Sequence, residues 1–256
     1  MATSPAQIFV WENAFYRKVA IGIALLMLVG FGLFNLAGLT DVRQMPTSTH
    51  LHGVIMFSWL LLFVVQNFLG AGKNLSLHRK LGWFGAALAV VAVVTAWQTG
   101  IVTTSLDRAP PVFYPPYFLA LNFIQPLFFA GFIAAAITMR KQTDWHRRLM
   151  LGAIIVVAEP PLGRLSIMLA VPLLGGPDNA IPLLSANQWM IPLIEMTAQL
   201  LIVGFIAWRD AKARGSVHPA IKCIALAVPA FYASLWLLAA VPPFAEYAFA
   251  LKGSAL

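Results

Sequence analysis

Five histidines and three ionisable residues set within apolar sequence are the groups in this chain with chemistry to offer. His50 and His52 stand two residues apart, while His78, His146 and His218 each lie at the start of an apolar run. Imidazole ligates metals through either ring nitrogen and titrates near neutral pH, so it serves metal binding, haem ligation and proton transfer alike. Glu159, Arg164 and Glu195 fall inside long apolar stretches. There an ionisable group costs about 2.5–3.5 kcal/mol or more unless it is paired, which makes each of the three a functional candidate. Amides accompany them, among them Gln66, Asn67, Gln125 and Gln199.

The elements that must position these residues are membrane helices. Of 256 residues, 60% are hydrophobic and 10% are charged. A soluble domain carries about 25% charged residues, so this chain has too few charges for a water-facing surface. A spanning helix needs roughly 20 mainly apolar residues to cross about 30 Å of hydrocarbon. Seven runs satisfy this, at about 17–39, 47–71, 77–103, 116–138, 145–174, 187–208 and 218–241. The expected fold is all-α: an integral membrane bundle of about seven transmembrane helices in a single domain, residues 1–256.

The net charge of +8 sits in the loops, where it sets topology and meets lipid headgroups rather than nucleic acid. One set of helix ends carries Arg17, Lys18, Lys73, Arg79, Lys80, Arg140, Lys141, Arg147, Arg148, Arg209, Lys212, Arg214 and Lys222, and the other only Arg43, Arg108 and Lys252. By the positive-inside rule the N-terminus is expected in the cytoplasm, the C-terminus outside, and the chain in a bacterial inner membrane. The first apolar run is long enough to span and stay, so no cleavable signal peptide is expected. The lone Cys223 excludes an internal disulfide and any multi-cysteine metal site.

Helix geometry sorts the candidates into two layers. Glu195 is expected about 12 Å below the outer surface and Glu159 about 20 Å above the inner one, at a similar level. The outer half would then gather His50, His52, Glu159, Arg164 and Glu195 in one cavity, with Pro160, Pro161 and Pro192 kinking the helices beside the glutamates. Glu159 and Glu195 are the candidate catalytic groups there. The plainer alternative is a structural Glu159–Arg164 ion pair, with Glu195 protonated or bonded to Gln188 or Gln199. The inner layer holds His78 and His146, each followed by basic residues, with His218 in reserve. Two histidines on neighbouring helices hold haem b axially, and basic residues neutralise its propionates. Interfacial contact with lipid phosphate is the plainer reading of the same pattern.

Two resemblances bear on this. The stretch Thr49-His50-Leu51-His52-Gly53-Val54-Ile55-Met56-Phe57 resembles a helix of the haem–copper oxidases, which implies His52 as a haem ligand. The histidine-rich active-site helices of those oxidases are missing, which argues against oxygen reduction by that route. His78-Arg79-Lys80-Leu81-Gly82, with His146-Arg147-Arg148 and the outer histidines, resembles uncharacterised bacterial multi-pass proteins similar in style to diheme transmembrane cytochromes b. That resemblance covers roughly residues 47–170 and departs from the diheme pattern, because the outer histidines share one helix.

The reading favoured is a haem b-binding electron-transfer protein exchanging electrons with quinol, a possible membrane oxidoreductase. Its cofactor-binding residues would be His50, His52, His78, His146 and Arg164, with His52 and His146 as the metal ligands. Two alternatives stay open. One is a membrane enzyme or carrier with an outer-half Glu/His site for iron, zinc or protons. The other is an accessory subunit of a larger respiratory or photosynthetic membrane complex. No phosphate-cradling glycine loop accompanies these features, which argues against a nucleotide-driven pump.

Overall fold

The computed structural model describes residues 5–72 and 74–255, with side chains from residue 12 onward except at residue 71. Lys73, counted above among the basic helix ends, lies outside the described residues. Ten α-helices follow one another: α1 (Pro5–Leu36), α2 (Thr47–Ala71), α3 (Leu75–Ser105), α4 (Pro115–Thr138) and α5 (Thr143–Val156), then α6 (Glu159–Leu173), α7 (Pro177–Ala186), α8 (Met190–Arg214), α9 (Pro219–Ala239) and α10 (Pro242–Leu251). A single 3-10 turn, Val42–Gln44, joins α1 to α2. There is no strand among the described residues.

Six of these helices are individually long and apolar enough to cross a bilayer. Taken together, α5 and α6, bent by 43° at a short break, are also long and apolar enough to cross it. The chain is therefore a multi-pass membrane bundle. Its surface agrees with that: Val54, Leu61, Val90, Leu201, Leu226 and Leu237 are exposed along the spans. In water so much contiguous apolar surface would be a liability, whereas lipid tails solvate it.

Several helix starts have a local cause. The Asn74 side chain accepts the Leu77 N–H at 3.2 Å, and His218 Nδ1 accepts the Ala220 N–H at 3.1 Å. Proline opens α4, α7, α9 and α10, where its missing N–H costs nothing. Gly215, at φ 79°, ends α8 in the left-handed conformation that a residue without Cβ adopts freely. Packing centres on α4, which touches α3, α5, α9 and α10, while α6 lies against α1 and α8.

Four features differ from the helices expected above. The first helix begins at Pro5, twelve residues before the expected start near residue 17. The 145–174 helix is two helices, because Pro160 has no N–H to offer the Val156 carbonyl. The 187–208 helix begins at Met190 and runs on to Arg214, and the turn expected before it holds α7. Finally, 242–251 coils into α10, which packs against α3, α4 and α9 at the arginine-poor end. There Lys252 pairs with Asp107 at 3.5 Å, and the Gly253 N–H reaches the Thr104 carbonyl at 3.3 Å.

Candidate functional site

Two polar assemblies lie inside this apolar bundle, and a third ties its arginine-rich end. The first is a cavity of about 700 Å³ between α2, α3, α4 and α5, within the range of about 300–1,000 Å³ typical of small-molecule and cofactor sites. His78 from the start of α3 and His146 from the start of α5 meet on its wall. Their ring centroids are 6.2 Å apart and the planes are nearly perpendicular, at 84°.

The proton positions follow from the partners. His146 Nδ1 lies 2.8 Å from the Ala136 carbonyl. A carbonyl only accepts, so Nδ1 carries a proton, the arrangement by which ligating histidines are oriented. His78 Nδ1 is buried without a hydrogen-bond partner among the described residues. Gly70, Gly82 and Gly85 keep part of the wall low, and Trp59, Phe63 and Trp83 supply apolar surface. Arg79, Arg140 and Lys141 also line the cavity and make it cationic, beside Arg147, whose charge is met by Glu12 and Asp144.

The second assembly sits at the break between α5 and α6. Gln125 from α4 donates to the Val156 carbonyl at 3.1 Å and to Glu159 Oε2 at 3.2 Å. Gln199 from α8 donates to the Ile155 carbonyl at 2.9 Å. Two side-chain amides thus serve carbonyls at the break, including the one that Pro160 leaves unpaired, as a polar backbone in lipid requires. Glu159 and Glu195 lie within hydrogen-bonding reach of each other. Both are essentially fully buried, at 1% and 0% exposed. Gly163 makes room for this, since a Cβ there would overlap the Glu195 carboxyl. The buried hydroxyls of Tyr117 and Tyr232 have no hydrogen-bond partner and lie within electrostatic reach of both carboxyls.

Arg164 faces this pair electrostatically without forming an ion pair within 4 Å. It donates instead to the Pro160 carbonyl at 3.0 Å, and its guanidinium lies over the rings of Phe31 at 4.4 Å and Phe34 at 5.6 Å. The structural Glu159–Arg164 ion pair held open above is therefore not formed.

The expected outer cavity is divided. Thr95 donates its hydroxyl to the Val91 carbonyl at 2.9 Å, so it accepts from His52 Nδ1 at 3.0 Å. His52 is thus partnered to α3, and His50 is exposed on another side of α2. Among the described residues no group of three or more His, Cys, Asp or Glu side chains converges as a metal site. An iron or zinc site built from Glu159, Glu195 and an outer histidine is accordingly absent there. The reason is angular: helical geometry turns His50 about 200° from His52, and His52 faces α3.

The third assembly involves acids that sequence reasoning passed over. Glu12, Asp144 and Asp210 meet Arg147, Arg148 and Arg214 where α1, α5 and α8 converge. Arg148, wholly buried, contacts Asp210 and pairs with Glu12 at 2.8 Å. Arg214 pairs with Glu12 at 2.6 Å and with Asp144 at 2.7 Å. Arg147 reaches Glu12 at 3.2 Å. Three acids thus balance three arginines, and Arg148 is occupied here rather than at the cavity mouth. The Asp210 carboxylate also accepts the His218 N–H at 2.7 Å, which with the Ala220 contact makes His218 a helix cap. The signal available in the sequence was an i, i+3/i+4 pattern, Asp144 before Arg147 and Arg148 and Asp210 before Arg214.

Comparison of the chain with protein families, with curated proteins and with solved structures finds no match.

Proposed function

We propose that this chain is a haem b-binding electron-transfer protein of a bacterial inner membrane, in the style of the diheme transmembrane cytochromes b, and that it exchanges electrons with quinol. The apposition of His78 and His146 on the wall of a roughly cofactor-sized cavity carries this reading. His146 would ligate through Nε2 with Nδ1 anchored to Ala136, and His78 would face it from α3. Arg79, Arg140 and Lys141 would hold the propionates, and the glycine-lined wall would lie against the macrocycle. Haem supplies a one-electron couple, and the protein tunes it through ligand identity, burial and nearby charge. Membrane-resident quinol is the natural partner for a group enclosed among spanning helices. The positive-inside rule places the cavity mouth on the cytoplasmic side.

The test is an oxidised-minus-reduced visible spectrum of detergent-purified protein made with ample haem, with a pyridine haemochrome assay. We expect near-stoichiometric haem b, lost in both H78A and H146A and retained in H218N. A featureless wild-type spectrum ends this reading. Loss of haem in H52A alone would move the site to the other end of the bundle.

A further inference from the structure

We propose that Glu159 and Glu195 form one intramembrane proton-binding site, a carboxyl–carboxylate pair holding a single proton between α6 and α8.

Two carboxylates in hydrogen-bonding reach repel strongly in a low dielectric, and a proton between them turns that repulsion into a hydrogen bond. Their surroundings call for that proton. Glu159 receives one donor, the Gln125 amide at 3.2 Å. Glu195 is 0% exposed, and neither of its oxygens has a donor among the described residues. A fully ionised Glu195 would therefore be a bare buried anion, which the interior of a membrane protein does not tolerate. With one proton shared, the pair keeps a single negative charge, and Arg164 offsets it from the same helix.

The neighbours complete a proton site rather than a metal site. Among the described residues no third acid, histidine or cysteine joins the pair. The Tyr117 hydroxyl from α4 and the Tyr232 hydroxyl from α9 are buried, unpartnered and close enough to feel both carboxyls. From α8, the Gln199 amide N–H donates to the Ile155 carbonyl, and its Oε1 is buried without a donor among the described residues. α1 brings the rings of Phe31 and Phe34 to Arg164, and the one acid of α7, Asp178, is exposed. The pair shares no residue with the His78–His146 cavity, so this site stands or falls independently of haem.

Infrared difference spectroscopy on the full chain in lipid tests the proposal directly. The wild type is expected to show the carbonyl stretch of one protonated, hydrogen-bonded carboxyl at neutral pH, shifting to lower frequency in D2O. Both E159Q and E195Q should shift or abolish that band, and E246Q, at an exposed position, should leave it unchanged. Absence of the band in wild type at neutral pH overturns the proposal, and that arm needs no variant to fold. A band altered by only one of the two substitutions shows an isolated acid and overturns the pair. Displacement of the band by sodium at constant pH makes a metal ion the ligand and overturns it equally.

Discussion

At the scale of single residues, side chains that share one charge type divide by what surrounds them. Arg147 and Arg148 are neighbours in sequence, yet Arg147 lines the cavity while Arg148 is wholly buried against Glu12 and Asp210. Removing one partner of a buried ion pair strands the other, at a cost of about 3–5 kcal/mol. We expect R148A to lower the thermal unfolding midpoint far more than R79A, whose guanidinium is exposed; equal effects would show the network to be inert. Gly163 offers a second case, because a Cβ there meets the Glu195 carboxyl. G163A should cost about 1–3 kcal/mol of overpacking and move the carboxyl infrared band, whereas G204A, in open space, should do neither. His218 gives a pH dependence. Partial burial first, and then the charge of Arg148, hold its imidazole below the usual histidine range. A depressed folded value means that its share of stability is complete above the unfolded value of about 6.5 and is lost as pH falls through the folded one. Unfolding midpoints should thus drop between about pH 7 and about pH 5, and less steeply in H218N, where asparagine keeps the cap without titrating.

At the scale of elements, the break between α5 and α6 organises the interior. Pro160 and Pro161 interrupt the hydrogen-bond ladder, and the pass bends by 43°. The bend is tolerable only because Gln125 and Gln199 serve the carbonyls of Val156 and Ile155. Side-chain hydrogen bonds in membrane bundles are worth about 0.5–2 kcal/mol each. Q125A and Q199A should each destabilise by about that amount in detergent unfolding, and P160A should rescue Q125A in part by restoring an N–H to Val156. Failure of that rescue would mean that Gln125 acts through Glu159 alone. α8 starts at Met190, only five residues and about 8 Å before Glu195. The cover of neighbouring helices buries this carboxyl completely.

At the scale of the whole molecule, six single helices and one bent pair form a bundle whose basic residues gather at one end. Three of those arginines are neutralised by acids, which leaves the orientation argument intact, because topology follows lysine and arginine rather than net charge. We expect the basic end in the cytoplasm. In a C223S background, Q142C should react with a membrane-impermeant maleimide only after membrane disruption, and D178C should react in intact cells. The reverse pattern would invert the bundle without altering its fold.

The sequence alone determined that the chain is helical, apolar and multi-pass, and it set the bounds of α2 at 47–71, because lipid imposes a length and a composition that each span must meet by itself. It also singled out His78, His146, Glu159 and Glu195, because polar groups in an apolar run stand out one residue at a time. Which of these meet was decided by tertiary packing. His78 and His146 converge because α3 and α5 both flank α4, while His52 turns to Thr95 on α3. Glu12 gave no isolated signal, since a carboxylate on one helix is unremarkable until arginines from other helices are seen beside it. A span is a property of consecutive residues, but a site is a property of distances between helices, and those are settled only when the helices pack.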